Sequence, residues 1–391
     1  MKILCINAGS STIKFQLFEM PKEEVLVSAN FEKIGESNSF YSFKINGEKI
    51  KKEIELENHK VATSIFLNEL INLKVISNYD EIEGIGHRVV QGRSKYSGSV
   101  IINEDVIKDV ESYIPLAPLQ NSANLMGISE SIKLLPNIKN VAVFDTSFHQ
   151  TMDANQYVYP IPYEWFEKYN VRRYGFHGTS HKYLYNSIKE LIGKDLKVIT
   201  CHLGSGSSIT AIDKGKVIAT SMGFTPLGGI AMGTRCGDID PSILSYIMKN
   251  TGKSIEEVTN DLNKKSGFLG ISGISGDSRE IEDGIALGND RCRLAQDIFV
   301  NRVVSFVSYY YVLLDKPDVI VFSAGIGENS SMVREEIINK LNCLNIYIDK
   351  EQNNVRSKIQ KISSENSDIL CYIIPTNEEL MIARETYELI S

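Results

Sequence analysis

Two stretches of this chain have the same shape. ILCINAGSSTIKF (3–15) and VITCHLGSGSSITAI (198–212) each read as a strand, a polar Gly-Ser loop and a second strand. With Asn7 set against His202, Gly9 falls on Gly204, Ser10 on Ser205 and Thr12 on Ser207. Such a repeat implies one strand-loop-strand unit used twice, and the segments that follow each copy keep the same order. After the first come TIKFQLFE and VLVSANFEK. Then SFYSFKINGEKIKKEIEL carries an N-G turn between alternating strands, a strong hairpin signal. A helix is expected over 59–73, a buried strand in IEGIGHRVV, a helix in NLMGISESIKLL and a strand in NVAVFDTS that ends at Asp145. After the second copy, SSITAID and KVIATSM are strands joined by a D-K-G-K turn, and helices dominate 241–315. DVIVFSAGIGEN reads as a strand, a Gly-rich loop and a helix starting near Asn329. Short strands near 345–348 and 370–374 then lead to a helix in PTNEELMIARETYEL.

Strands alternating with helices predict mixed sheets covered by helices, an α/β fold. Two halves opening alike predict a duplicated α/β domain with a cleft between. The boundary is expected near 147–153, giving domains 1–148 and 149–376, the first completed by the C-terminal helix 377–391.

Composition narrows the class. At 391 residues, 42% hydrophobic and 23% charged, the chain is ordinary globular material. A net charge of -7 argues against a nucleic-acid footprint, which needs a basic face. The most apolar run, VVSFVSYYYVLL (303–314), is shorter than the roughly 20 residues that span a bilayer, so a buried core helix is expected. MKILCINAG is too short an apolar start for a signal peptide. The six Cys stand singly, with no C-x-x-C, so reduced thiols and a cytoplasmic location are expected.

The loops suggest chemistry. A Gly-Ser loop between strands offers backbone N–H groups and hydroxyls to phosphate oxygens, and Lys14 adds a mobile positive charge beside the first. Either loop alone could be an ordinary hairpin; two matched loops and a third weigh against that. The third is FSAGIGEN (322–329), where Gly325 and Gly327 allow close backbone approach to a ligand. It lacks the third Gly of a dinucleotide fingerprint, and no G-x-x-x-x-G-K-[ST] exists. Five of six His (87, 149, 177, 181 and 202) stand beside Gly, Arg, Ser or Asp, which suggests a polar cleft, although a single His is more often a structural hydrogen-bonder. There is no H-E-x-x-H, so a metal held by His is not signalled. Arg88, after a buried strand, and Arg235, among glycines in MGTRCGDIDP, suit a bidentate grip on a carboxylate or phosphate. An ion pair of Arg235 with Asp238 or Asp240 is the alternative.

INAGSSTIKF, GHRVV, FDTSFHQTM, YGFHGTSH, HLGSGSS, GFTPLGGIAMGTRCGDIDP, FSAGIGEN and PTNEELMIARE occur in order across nearly the whole chain, and together they resemble the acetate kinase family. The resemblance implies the actin, heat-shock chaperone and hexokinase superfamily. It implies two duplicated actin-like (ribonuclease H-like) domains whose loops face each other across the phosphates of ATP. The reaction implied is reversible, Mg-dependent transfer of the γ-phosphoryl group of ATP to acetate, giving acetyl phosphate and ADP; Mn2+ could replace Mg2+. Acetate is ionised at neutral pH, so its attack needs no general base. By this resemblance Asp145 is a positioning or metal-water residue. Arg88 and Arg235 hold the carboxylate and the moving phosphoryl group, and His177 donates to transition-state oxygens. Asn7 and Glu378 are implied for Mg2+, although Glu378 could simply be a favourable first-turn acid. Lys14, His202, Leu203, Gly204, Ser205 and Gly206 match phosphate contacts. Asp277, Ser278 and Arg279, with Gly325, Ile326, Gly327, Glu328 and Asn329, match the adenosine side. Val90, Leu119, Phe176 and Pro226 fall on the apolar acyl pocket, and a branched Val90 argues for a short acyl chain. A homodimer is implied; nucleic acid and membrane are not expected partners.

The sequence departs from the family pattern at Gln120 for His, Ser205 for Asn, Thr12 for Ser, and Arg93 after Q-G. None removes a proposed catalytic group. Propionate kinase is the nearest rival. A sugar kinase would need Asp145 as a base, and two Arg suit an anionic acceptor better. A non-catalytic ATP-driven module would need a partner-binding appendage, and the chain ends soon after PTNEELMIARE.

Overall fold

The computed structural model describes every residue except Ser10, and every side chain but that of Leu119 as well. The chain divides into two compact units. Unit 1 is Met1–Gln150 with Asn377–Ser391, and unit 2 is Thr151–Thr376.

Unit 1 is built on an eight-stranded sheet: β1 (Lys2–Ala8), β2 (Thr12–Glu19), β3 (Glu24–Glu32), β4 (Phe40–Ile45), β5 (Glu48–Glu53), β6 (Ile82–Val89), β7 (Val100–Ile101) and β8 (Lys139–Phe144). Its spatial order is β5-β4-β3-β2-β1-β6-β8-β7. β1 to β5 are antiparallel neighbours, β6 and β8 join in parallel, and β7 closes the edge antiparallel. The N-G turn between β4 and β5 has both residues at positive φ (Asn46 51°, Gly47 84°), as a twist-matched two-residue hairpin requires. On one face the helix His59–Asn72 packs, with Phe66 stacked on Phe15 at 4.2 Å. Asn58 caps that helix by accepting the N–H groups of Lys60 and Val61.

The helix Glu378–Ile390 packs against β1, β6 and β8. Gly84 and Gly86 on β6 make this possible. A Cβ on Gly84 would overlap Ile390, and one on Gly86 would overlap Thr386 and Ile382.

Unit 2 has six strands: β9 (Lys197–Leu203), β10 (Ser207–Asp213), β11 (Lys216–Thr220), β12 (Val319–Ser323), β13 (Gln360–Lys361) and β14 (Leu370–Ile373), ordered β11-β10-β9-β12-β14-β13. β9 and β12 are buried along their lengths apart from Lys197, as strands covered on both faces must be. The D-K-G-K turn holds Lys214 and Gly215 at positive φ, 49° and 87°.

Three expectations change. The run 303–314 is the end of the helix Asp290–Leu313, which buries Val303, Val307 and Tyr310 but exposes Tyr309 and Val312; its apolar stripe is wider than its buried face. Residues 345–348 form no strand. Ile348 makes one isolated bridge to Ser363, because Asn345 turns at positive φ (56°) and ends any extended run. The helix placed near Asn329 starts five residues sooner, as Ala324–Asn329, with Gly325 and Gly327 inside it. No helix among the described residues is long and apolar enough to cross a membrane, and all six cysteines are free thiols.

Candidate functional site

In unit 1 the polar cluster forms where β1, β6 and β8 end. Asn7 is next to last on β1, Arg88 next to last on β6, and Asp145 follows β8. Arg88 donates from Nε to both oxygens of Asp145 (3.0 and 3.1 Å) and from Nη2 to Oδ2 (2.6 Å). Its Nη1 reaches Asn7 Oδ1 at 3.1 Å, so three of its five N–H donors are used and two remain for an anion. Asp145 itself is 1% exposed. Burial works against the charge on Arg88, but Asp145, Glu378 and Glu379 outweigh it and hold the guanidinium more firmly protonated. Asn7 Nδ2 donates to Glu379 Oε1 at 3.1 Å. Burial pushes the Glu378 carboxyl up to about 7; Arg88 opposes this, Asp145 and Glu379 add to it, and Lys14 opposes it weakly. Lys14 sits across from Asn7 in the β1–β2 register, with its side chain exposed.

A metal ion was implied at Asn7 and Glu378. Among the described residues no group of three or more His, Cys, Asp or Glu is gathered to enclose one. The donors present are an amide oxygen and a carboxylate beside a second carboxylate, Glu379. Such hard oxygen donors fit Mg2+, which keeps several waters and relies on substrate phosphates rather than an all-protein cage.

Val90 lies just past β6, buried, its N–H donating to Asn124 Oδ1 at 3.1 Å while Asn124 Nδ2 donates to the Ala8 carbonyl at 2.9 Å. Asn121 likewise takes the Gln91 N–H at 3.0 Å. These two buried asparagines fix the backbone of Val90 and Gln91. They were not singled out from sequence, and the L-Q-N-S-A-N spacing on one helix face was the available signal. The Leu119 side chain lies outside what the structure describes.

In unit 2 a second cluster surrounds the 204–206 loop. His177 caps the helix Gly178–Ile192 from the left-handed region (φ 59°). Its Nδ1 lies 2.9 Å from Ser208 Oγ, and its ring stacks on His202 at 4.2 Å. His181 bridges Thr200 and Ser208 at 2.7 Å each, and Ser180 Oγ joins His202 Nδ1 (2.8 Å) to Thr376 (2.7 Å). Arg235 donates to the Pro226 carbonyl at 2.9 Å. A Cβ on Gly206 would stand 2.8 Å from Arg235 Nη2 and 3.4 Å from the His177 ring. The ends of both side chains therefore converge on the loop at Gly206. Phe176 is buried beside this cluster, directly before His177. Asp238 accepts the Gly229 N–H at 2.7 Å, and so braces the loop that carries Arg235.

Adjoining the loop is a cavity of about 600 Å3, lined at one end by Gly204 and Ser205 and elsewhere by Thr234, Gly276–Arg279, Glu282, Gly325, Ile326, Asn329, Ser330 and Arg356. That volume suits a nucleotide-sized ligand. Asp277 and Arg279 pair with each other at 2.6 Å. The sequence expectations for Gly204, Ser205, Asp277, Ser278, Arg279, Gly325, Ile326 and Asn329 all fall on this lining. Lys14, His202, Leu203, Gly206, Gly327 and Glu328 do not. Leu203 is fully buried, and Gly327 packs against Phe322 and Cys201. Glu328 instead accepts the N–H groups of Ala324 (2.8 Å) and Thr376 (3.1 Å), a carboxylate serving the loop's own backbone.

The model of the acetokinase family matches residues 2–384. An acetate kinase of Listeria monocytogenes serotype 4b is 50% identical over 387 residues, covering 98% of each chain. Among solved structures, the acetate kinase of Porphyromonas gingivalis aligns over 100% of both chains with a TM-score of 0.94 at 42% identity. A propionate kinase from Francisella tularensis aligns over 99% of both, also at 0.94, with 44% identity.

Proposed function

The chain belongs to the acetokinase family, and from that premise we propose that it transfers the γ-phosphoryl group of ATP to acetate by direct in-line displacement, reversibly and with Mg2+. Acetate kinase activity follows from full-length relatives at 50% identity. The residue roles are our reading, and the convergence of Arg235 and His177 on Gly206 carries it.

Unit 2 binds the nucleotide, its phosphates against the 204–206 loop. There the Gly204 and Ser205 backbone, Arg235 and His177 meet the oxygens on which charge grows. His177 acts as a donor rather than a base, with His202, Ser208 and His181 fixing its ring. Unit 1 binds the acyl substrate. The two remaining N–H donors of Arg88 take the acetate carboxylate, and Val90 limits the methyl side. Asp145 fixes the Arg88 plane through its bidentate pair. It need not take a proton, because acetate arrives ionised. Asn7 and Glu378 would hold Mg2+, whose charge neutralises phosphate oxygens when bound; Lys14 adds a positive charge on the same side. The exposed side chain and adjoining phosphate-type loop support that role for Lys14. Family resemblance supports a homodimer in the cytoplasm.

A second reading, propionate kinase, is favoured by the Francisella relative's equal structural agreement. Hydroxylamine trapping with Mg-ATP and acetate, propionate, butyrate or glucose separates the readings. Acetyl hydroxamate formed in step with ADP is expected. A higher kcat/KM with propionate would favour the second reading, and ADP without any hydroxamate would refute both.

A further inference from the structure

The nucleotide cavity has a wall that no sequence motif announced. Arg334, on the helix Ser331–Asn339, is 0% exposed and is the largest fully buried side chain among the described residues. Its guanidinium bonds neutral oxygens: Nε donates to Asn353 Oδ1 (2.7 Å), Nη1 to the Gly327 carbonyl (2.9 Å), and Nη2 to the carbonyls of Asn353 (2.7 Å) and Val355 (3.0 Å). Asn353 in turn donates to the Ser331 carbonyl at 2.8 Å. Ser357 adds two more links, its N–H to the Glu328 carbonyl (3.2 Å) and its Oγ to Asn329 Oδ1 (2.9 Å). Segment 353–357 is thus fastened on both sides of Arg356 to the helix Ala324–Asn329. Burying a guanidinium whose hydrogen bonds all go to neutral oxygens, with Glu282 helping only through its charge, is costly, so the placement calls for a reason.

Arg356 supplies one. Its backbone is held by those links, its side chain is exposed, no described residue pairs with it, and it lines the cavity. Its end of the cavity is opposite the phosphate loop. Gly204 lies beside the start of the Ala324–Asn329 helix, where its Cβ would stand 3.4 Å from that of Ala324, whereas Ser357 is tied to residues 328 and 329 at the helix's finish. Six residues of helix span about 9 Å, so a nucleotide with its phosphates at Gly204 reaches Arg356 with its base.

We propose that Arg356 closes the nucleotide site by stacking its planar guanidinium on the purine, and that buried Arg334 is the positioning residue that holds it there. The inference rests on the nucleotide-site reading of this cavity. A stacked guanidinium favours the larger π-face of a purine over a pyrimidine and is indifferent to the phosphates.

The test compares wild type, Arg356→Ala, Arg356→Lys and Arg334→Met in steady-state kinetics with ATP and CTP, and in inhibition by inorganic tripolyphosphate. ADP binding to the wild type is measured first by calorimetry. Arg356→Ala is expected to raise the KM for ATP by about tenfold, the scale of a partly desolvated cation–π contact. Its kcat and its KM for acetate should stay within about twofold, its ATP-over-CTP preference should shrink, and tripolyphosphate inhibition should hold. Arg356→Lys should recover little, because an ammonium lacks the flat face. Folded Arg334→Met should reproduce the same pattern; if it does not fold, the Arg356 pair alone decides. An unchanged KM in Arg356→Ala overturns the proposal. So does full rescue by Lys with weakened tripolyphosphate inhibition in the Ala variant, which would make Arg356 a phosphate contact. Failure of wild-type protein to bind ADP would instead overturn the nucleotide-site reading itself.

Discussion

The two units share one strand plan and use it for different chemistry. The order β3-β2-β1-β6-β8-β7 in unit 1 corresponds, direction for direction, to β11-β10-β9-β12-β14-β13 in unit 2. Unit 1 adds only β4 and β5 at its edge. Taking Asn7 as the counterpart of His202, the parallel registers make Arg88 the counterpart of Ser323 and Asp145 that of Thr376. The same three strand ends thus carry Asn, Arg and Asp in one unit and His, Ser and Thr in the other. Strand ends at such an edge are where α/β sheets place ligands. In unit 1 the edge is charged and its members bind one another. In unit 2 it carries neither a carboxylate nor a guanidinium: Ser323 Oγ donates to the Ile374 carbonyl at 2.6 Å, and Thr376 is held by Glu328 and Ser180. A duplicated fold fixes where functional groups stand, and their identity divides anion gripping from loop bracing.

The largest expected effect tests that division directly. Arg88→Ala should lower kcat by about 10²–10³, and Arg235→Ala similarly, while circular dichroism shows both folded. Ser323→Ala, at the counterpart position, should fall less than about tenfold, the scale of one modest hydrogen bond. Equal losses at 88 and 323 would break the comparison.

Packing gives the next effect. Gly86 corresponds to Val321 by the same register. Gly86→Val should cost about 3 kcal/mol or more in chemical denaturation, since the side chain meets Thr386 and Ile382. A loss below about 1 kcal/mol would mean the helix Glu378–Ile390 can shift away from β6.

Protonation follows. His87 stands where unit 2 has Phe322. Burial lowers its pKa from 6.5 to about 4, against an opposing bond to Asn140. Between those values the unfolded chain takes up a proton that the folded chain refuses. Stability therefore falls as pH drops through that window, by about 1.4 kcal/mol per unit. His87→Phe should remove this part of the acid limb in denaturation curves measured from pH 7 to 4.5; an unchanged slope would rule out His87 as its source.

The smallest effect concerns the acyl group. Val90→Ala should improve kcat/KM for propionate relative to acetate several-fold, up to the roughly 1–3 kcal/mol that one methylene carries. An unchanged ratio would remove Val90 from the acyl pocket.

Much of this was legible in the sequence because glycine and serine punctuate loops whatever surrounds them. Both hairpins, the N-G turn and the FSAGIGEN segment announce themselves. Register is less visible. The sequence match sets Thr12 on Ser207, yet Asn7 pairs with Lys14 while His202 pairs with Ser208, so the first hairpin is one residue longer. Only backbone pairing reveals this, and it puts a cation where unit 2 has a hydroxyl. Arg88 and Asp145 were each expected to be functional, but their mutual bidentate pair joins residues 57 apart, and no local pattern encodes it. Arg334 was invisible because VREE reads as the wet face of a helix; burial there comes from segment 353–357 folding over it. Glu328, read as a ligand contact, instead accepts the N–H groups of Ala324 and Thr376, and the second of these lies 48 residues away, beyond any local pattern.

The helices after β8 and β14 change places. The first long helix after β8, Gly178–Ile192, lies in unit 2 and packs on β9, and the one after β14, Glu378–Ile390, lies in unit 1 and packs on β1 and β6. A ribosome therefore makes the sheet of unit 1 first and its covering helix only after all of Thr151–Thr376 has been made. During synthesis the glycine-lined groove of β6 waits uncovered while unit 2 can already close. Order of manufacture and order of completion are reversed. A gene cut near residue 150 would leave the N-terminal fragment without its lid, and supplying Asn377–Ser391 as a separate peptide should restore it.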